Sequence, residues 1–271
     1  MMRSLWTAAS GMRAQQVNVD TIANNVANIN TIGYKSQQAS FKSLLYQNLQ
    51  STSTNNAGEN KPVAAEVGLG SRVAAITSTF TQGNLTHVEN PFSVALEGDG
   101  FFQIRTESGE LQYTRDGSFE ISPVANGNML CTSDGNPVLD AYGNQIILSS
   151  NRVATDLVVN QDGTLAFPDG TGNPAVITDA NGRPVKFGIY QFNNPAGLSK
   201  EGSNNYSVTV ASGAAVAENG NAAVKQTKTH QYYTEASNVD VANEMVNLIV
   251  AQRAYEMNSK AIQASDEMMQ Q

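Results

Sequence analysis

The run that decides the fold is Ser237–Gln271, SNVDVANEMVNLIVAQRAYEMNSKAIQASDEMMQQ. Within it Val241, Met245, Leu248, Gln252, Tyr255, Ser259, Ile262, Asp266 and Met269 recur in alternating steps of four and three. Steps of that kind draw a narrow stripe down one face of an α-helix. The period is about 3.5 residues, that of a coiled-coil seam rather than the broad face of a helix lying on a globular core. Gln252, Ser259 and Asp266 are polar seam positions, which weakens a simple dimer reading. Ser237 or Asn238 is the expected cap, and Asp240 and Glu244 place negative charge in the first turns, where the helix dipole favours it. No Pro or Gly interrupts the run. Such a helix requires a partner.

A matching seam lies at the other end of the chain. Leu5, Met12, Val19 and Val26 are spaced by seven, each followed three residues later by Ala8, Gln15, Ile22 or Ile29. This predicts a helix over 4–29, with Gly33 as its stop. Residues 1–50 carry Arg3, Arg13, Lys35 and Lys42 against Asp20 alone. The tail carries Glu235, Asp240, Glu244, Glu256, Asp266 and Glu267 against Arg253 and Lys260. Opposite charge on seams of equal period favours pairing the ends with each other. The competing reading packs each helix on the central domain as an ordinary amphipathic helix.

At 271 residues, with 40% hydrophobic content, the chain has enough apolar material for one or two domains. Charged residues are only 15%, which suits a turn-rich β structure or an extracellular polymer better than a metabolic enzyme. A net charge of −8 argues against nucleic acid as a partner. The lone Cys131 forms no internal disulfide and decides nothing about compartment. Arg13, Gln15 and Gln16 break any apolar core after Met1, so a cleaved leader is not expected. No run approaches the length of a membrane span. The protein is expected either to stay in the cytosol or to leave by a route without such a leader.

Between the helices the texture changes. Residues near 50–61 are polar and aperiodic and predict a loop, with 62–70 extended; so long an irregular segment is more often an interaction element. From Val73 to about Gln226, short strands alternate with turn dipeptides. Phe101–Arg105 and Leu111–Arg115 flank Ser108-Gly109 as a hairpin, and further strands are expected at 145–148, 156–159, 164–167, 185–192 and 206–210. Asp-Gly recurs at Asp99, Asp116, Asp134, Asp162 and Asp169, and Asn-Gly at Asn126, Asn181 and Asn219. Gly and Asn tolerate positive φ, so these are turns between antiparallel strands. The expected fold is α+β: terminal helices pairing as a coiled-coil-like layer around an inserted antiparallel β-rich domain. The expected divisions are 1–46, 47–72 as linker or interaction loop, 73–230, and 231–271.

Catalytic chemistry is hard to place. His87 and His230 have no Cys neighbour and no HExxH pattern, and no nucleophile elbow, phosphate loop or dinucleotide fingerprint occurs. The Asp-Gly pairs lack the calcium-loop spacing, and Asp99, Glu107 and Asp116 fall in turns with nothing to single them out as glycosidase carboxylates. No catalytic residue, cofactor or metal is expected. The run Asn24–Thr31 is odd, because Asn is a poor residue inside a helix. It reads equally as a fraying end capped by its amides or as polar side chains facing neighbouring chains.

Ser4–Met12, Asp20–Asn28 and Gly33-Tyr34-Lys35 resemble the N-terminal signature of flagellar rod and hook proteins. Gly83–Leu85, Gly98–Phe102 and Tyr113–Phe119 resemble the start of that family's central domain. Glu235–Val239, Ala251–Glu256 and Asn258–Lys260 resemble its C-terminal signature. Leu44–Gln47 followed by a loop is most similar to the distal rod type, with proximal rod and hook subunits as alternatives within the family. The resemblance implies a tubular homopolymer whose terminal helices form an inner coiled-coil layer and whose β domain lies outside. It implies export unfolded through the flagellar type III apparatus. It also implies contact with other rod and hook subunits and, where an outer membrane exists, with P and L ring proteins. The assembly positions are then Leu5, Met12, Val19, Ile22, Val26, Met245, Leu248, Tyr255 and Ile262. A reading from a different class remains, a secreted β-rich adhesive or carbohydrate-active protein on a helical stalk.

Overall fold

The computed structural model describes residues 2–50, 65–125, 127–149, 153–168, 174–179, 182–221 and 224–270. Most of the expected loop at 50–61, and the turns at Asn126, Asp169 and Asn181, lie outside these residues. The chain divides into two compact units, one made of 1–27, 37–78 and 240–271, the other of 28–36 and 79–239.

The first unit holds both helices, α1 (Met2–Ala27) and α2 (Val241–Gln270), and an antiparallel ribbon. The ribbon pairs β1 (Gln37–Ser43) with β4 (Ser71–Ser78) and β2 (Tyr46–Gln50) with β3 (Ala65–Gly68). Bonds from Leu44 N to Gly70 O (2.8 Å) and from Leu69 N to Leu45 O (3.3 Å) make the two pairings continuous. The described parts of the stretch expected as a linker, 47–72, are therefore largely strand. α1 packs against β1, β4 and α2. Ser10 Oγ receives Ser71 N at 3.3 Å, and a Cβ on Gly70 would stand 2.0 Å from that same oxygen. The α2 cap is Asp240, whose carboxylate accepts Ala242 N at 3.0 Å, and neither Ser237 nor Asn238 fills that role.

The second unit is antiparallel β throughout its pairings. Its strands begin with β5 (Leu85–His87), β6 (Val94–Glu97), β7 (Phe101–Arg105) and β8 (Leu111–Thr114). β7 and β8 form the expected hairpin at the centre of a six-stranded sheet, in the order 199–202, 205–207, β8, β7, 189–191, 216–217. Alternate β7 side chains enter different cores, as the period of two in a strand requires. Phe102 and Ile104 join Leu96, Phe119, Leu130 and Val138, whereas Phe101 joins Tyr113, Phe192, Leu198 and Tyr206. A continuous apolar run such as Phe101–Ile104 is what a strand covered on both faces needs.

Several turns share one design. In 106–110, 132–136, 140–144 and 160–164 the first N–H meets the fifth carbonyl, while the N–H of the fourth residue, Gly, meets the first carbonyl. This is a turn followed by a left-handed residue, and φ is +86° at Gly109, +82° at Gly135, +84° at Gly143 and +78° at Gly163. Gly33 (φ +69°) differs, because a Cβ there would lie 2.9 Å from the backbone of Arg115 and Asp116. Gly143 faces open space. Gly143→Ala is expected to cost about 1–2 kcal/mol from backbone conformation alone, and Gly33→Ala distinctly more. Urea unfolding of the two variants checks the order; equal losses would contradict the close approach at Gly33.

Candidate assembly site and buried charge cluster

The helix pair is antiparallel. Ser4 Oγ lies 3.4 Å from Ser265 Oγ, a Cβ on Gly11 would stand 3.0 Å from Asn258 Nδ2, and Asn25 Nδ2 donates to Glu244 Oε1 at 3.0 Å. Small residues let the backbones approach, and Ala8, Ala14, Ala251 and Ser265 are buried. The covered line of α2 runs through Glu244, Leu248, Ala251, Ala254, Asn258, Ser259, Ile262 and Ser265; Leu248, Ser259 and Ile262 are on the seam drawn on sequence, and the others lie one residue from it.

The expected assembly residues separate accordingly. Ile22 is buried; Leu5, Met12, Val19, Val26, Leu248 and Ile262 are half-buried; Met245 (52% accessible) and Tyr255 (43%) are exposed. Exposed beside them on α2 are Val246, Ile249, Val250 and Met257. A groove of about 410 Å³ opens between Gln16, Val19, Gln252, Tyr255 and Glu256. Met245, Val246, Ile249, Val250 and Met257 share one side of α2, whereas Tyr255 lies on the other, beside α1. The Asn run contributes an internal lock as well. Buried Asn25 accepts Gln37 N at 2.8 Å and donates to Gln37 O at 2.8 Å, binding the end of α1 to the start of β1.

The second unit contains a feature that no local pattern announces. Lys35, side chain 0% accessible, donates from Nζ to Glu235 Oε1 at 2.6 Å and to Thr81 O at 2.9 Å. Arg115, 2% accessible, approaches Glu235 Oε2 at 3.4 Å and lies over the Phe101 ring at 4.9 Å. Gly83 N donates to the same carboxylate at 2.8 Å, and Gly33 N donates to the Glu235 carbonyl at 2.8 Å. One buried carboxylate thus faces two buried cations. Burial pushes the Lys35 ammonium below its ordinary value; Glu235 opposes the shift and Arg115 reinforces it. Burial also pushes the nearby Tyr206 hydroxyl up to about 12. His87 and His230, far apart in sequence, both pack on Tyr233, with ring centroids 5.4 and 6.2 Å away, and His230 Nε2 meets Glu97 at 2.7 Å. Among the described residues no cluster of three or more His, Cys, Asp or Glu could hold a metal.

Gly33-Tyr34-Lys35, Arg115 and Glu235 come from three separate stretches and meet at one point, and the same stretches carry similarity to known proteins. Residues 5–35 match the family described as flagella basal body rod protein. Residues 95–167 match the flagellar hook protein FlgE/F/G D1 domain, and 230–271 the flagellar basal body rod FlgEFG protein C-terminal family. The flagellar basal-body rod protein FlgG of Borreliella burgdorferi is 42% identical over 99% of this chain and 97% of its own length. FlgG of Bacillus subtilis is 34% identical over the whole chain and 98% of its own length. The chain belongs to the flagellar basal-body rod protein family. The flagellar hook-basal body complex protein FlhP of Bacillus subtilis, 33% identical over 99% of the chain, is similar as well.

Two outcomes test the charge cluster. Glu235→Gln leaves two buried cations uncompensated and is expected to cost about 3–5 kcal/mol in urea unfolding. Lys35→Met leaves the Arg115–Glu235 pair and costs clearly less. The reverse order would contradict the central role of the carboxylate. In alkali, folded Tyr206 keeps a proton that the unfolded chain loses above its ordinary value of 10. Its contribution is therefore whole below pH 10 and is lost as pH rises toward about 12. Lys35 acts with the opposite sign, its burial penalty fading as pH climbs to its ordinary 10.5. Tyr206→Phe is expected to remove about 2–3 kcal/mol of alkaline loss relative to the unmodified protein, read as the difference between their urea midpoints across that range.

Proposed function

We propose that this chain is a structural subunit of the flagellar distal rod, which polymerises head to tail into a tubular shaft carrying torque from motor to hook. It is a structural protein and not an enzyme. The observation that carries this reading is identity to rod proteins along the full chain, 42% at its highest among the relatives named above. The exposed apolar face of α2, with no partner in the single chain, supports it physically. A head-to-tail contact that does not close into a ring propagates as a helix.

In this reading α1 and α2 form a coiled-coil-like inner layer with neighbouring copies. Leu5, Met12, Val19, Ile22, Val26, Met245, Leu248, Tyr255 and Ile262 are the assembly positions. Met245 and Tyr255, exposed in the single chain, are the ones placed to meet a neighbour directly. The other partners are further rod and hook subunits, the type III export apparatus and, in cells with an outer membrane, the P and L ring proteins. No helix among the described residues is long and apolar enough to cross a membrane.

A charge at Leu248 or Val26 tests the proposal. Leu248→Glu or Val26→Asp is expected to abolish rod assembly and swimming, while the β unit keeps its cooperative unfolding. Electron micrographs of basal bodies and a thermal melt of the purified chain read the two effects separately. Intact rods and normal swimming would refute the assembly role of these faces.

A further inference from the structure

The chain crosses between its two units four times, at 27/28, 36/37, 78/79 and 239/240, and three passages of the second unit flank these crossings: residues 28–36 before β1, residues 79–84 after β4, and residues 235–239 before α2. All three passages are fastened to one another inside the second unit. Asn238 touches both of the others with a single amide. Its Oδ1 accepts Ser36 N at 2.7 Å, and its Nδ2 donates to Thr79 O at 2.8 Å and to Thr81 Oγ1 at 2.9 Å. Thr79 N then donates to Ser36 O at 2.8 Å, closing a triangle of bonds. A few residues further in, Glu235 repeats the arrangement through Gly33 N and Gly83 N, and Ala236 N donates to Asn84 O at 2.9 Å. A Cβ on Gly83 would lie 2.0 Å from Ala236 O, so the two strands approach as closely as glycine allows.

We infer that Asn238 is the positioning residue that joins the three passages into one cooperative bundle, which opens as a whole or not at all. An amide side chain suits the task because it offers one acceptor and two donors in a plane, enough to satisfy two backbone segments together. A hydroxyl has one donor and a carboxylate has none. The consequence for the polymer rests on the rod reading above: load from α2 enters the β unit covalently through 235–239, whereas load from α1 reaches 28–36 and passes into the β unit through the bonds of this bundle. The bundle itself does not rest on that reading, and the test uses the unassembled chain.

Native-state amide hydrogen exchange on the full-length monomer, with Asn238→Ala and Asn238→Asp, reads the coupling. Gly33 and Gly83 donate to Glu235 and not to Asn238, so independent anchoring leaves their rates alone. Asn238→Ala is expected to accelerate Ser36, Gly33 and Gly83 by a common factor, on the order of ten for a lost coupling near 1.4 kcal/mol. Asn238→Asp, which keeps the acceptor and loses the donors, gives a smaller common acceleration. The Gln103 amide, bonded to Gly188 O in the core at 2.9 Å, keeps its rate. Acceleration at Ser36 alone would overturn the inference. Acceleration of Gln103 to the same degree in both variants would overturn it too, because Asn238 would then support the whole unit rather than couple the passages.

Discussion

Glu235 is the constraint on which the β unit closes. Its side chain is 1% accessible, and it faces Lys35 and Arg115, themselves almost wholly removed from water. Two cations and one anion taken out of solvent carry a desolvation cost that close geometry must offset. The carboxylate meets several partners at once, an ammonium at 2.6 Å, a guanidinium that rests on Phe101 and a backbone N–H from Gly83, although Arg115 Nε finds no acceptor. Replacing such a group with an apolar one is often tolerable, whereas removing only one member is not. A buried ionic cluster of this kind adds little net stability but fixes which segments meet. Here it selects the 33–35 turn, the end of β8 and the approach to α2, segments up to 200 residues apart in the chain.

The helical unit follows a different rule. α1 and α2 meet through small residues, and much of the apolar material on α2 points away from α1. Such a pair buries too little to account for Met245, Val246, Ile249, Val250 and Met257 unless further chains cover them. The two units thus differ: the β unit closes two apolar cores of its own, while α2 leaves large apolar side chains uncovered in the single chain. The similarity along the whole chain places that division in the rod family and removes the reading of an adhesin on a stalk.

Much of this was legible in the sequence. The heptad spacing located both helices, and the run Phe101–Arg105 with its mate Leu111–Arg115 located the central hairpin because pattern and turn chemistry agreed there. Within the single chain α2 covers 244, 251 and 265 where the seam has 245, 252 and 266, while Leu248, Ser259 and Ile262 of the seam are covered as drawn. Periodicity follows large apolar side chains, while the actual contact follows small ones that let backbones approach. Asn238 has the composition of a cap, but its amide is committed to two other backbone segments, at Ser36 and at Thr79–Thr81, and leaves capping to Asp240. Lys35 was the least legible residue. A lysine after a glycine break reads as solvated, and nothing local announces a carboxylate 200 residues away. The only sequence signal was that Lys35, Arg115 and Glu235 each sit inside a long family motif. For the same reason residues 28–36, assigned on pattern to the helical segment, belong with the β unit.

The most direct test of this account is limited proteolysis of the purified monomer, followed by size exclusion and mass spectrometry of the surviving core. Cleavage within 37–78 and beyond 240 severs the N-terminal peptide from the β body covalently but leaves the Glu235 contacts intact. The account predicts that a peptide containing 28–36 co-elutes with a core ending near 239. A core that begins near 79 and elutes without that peptide would contradict it.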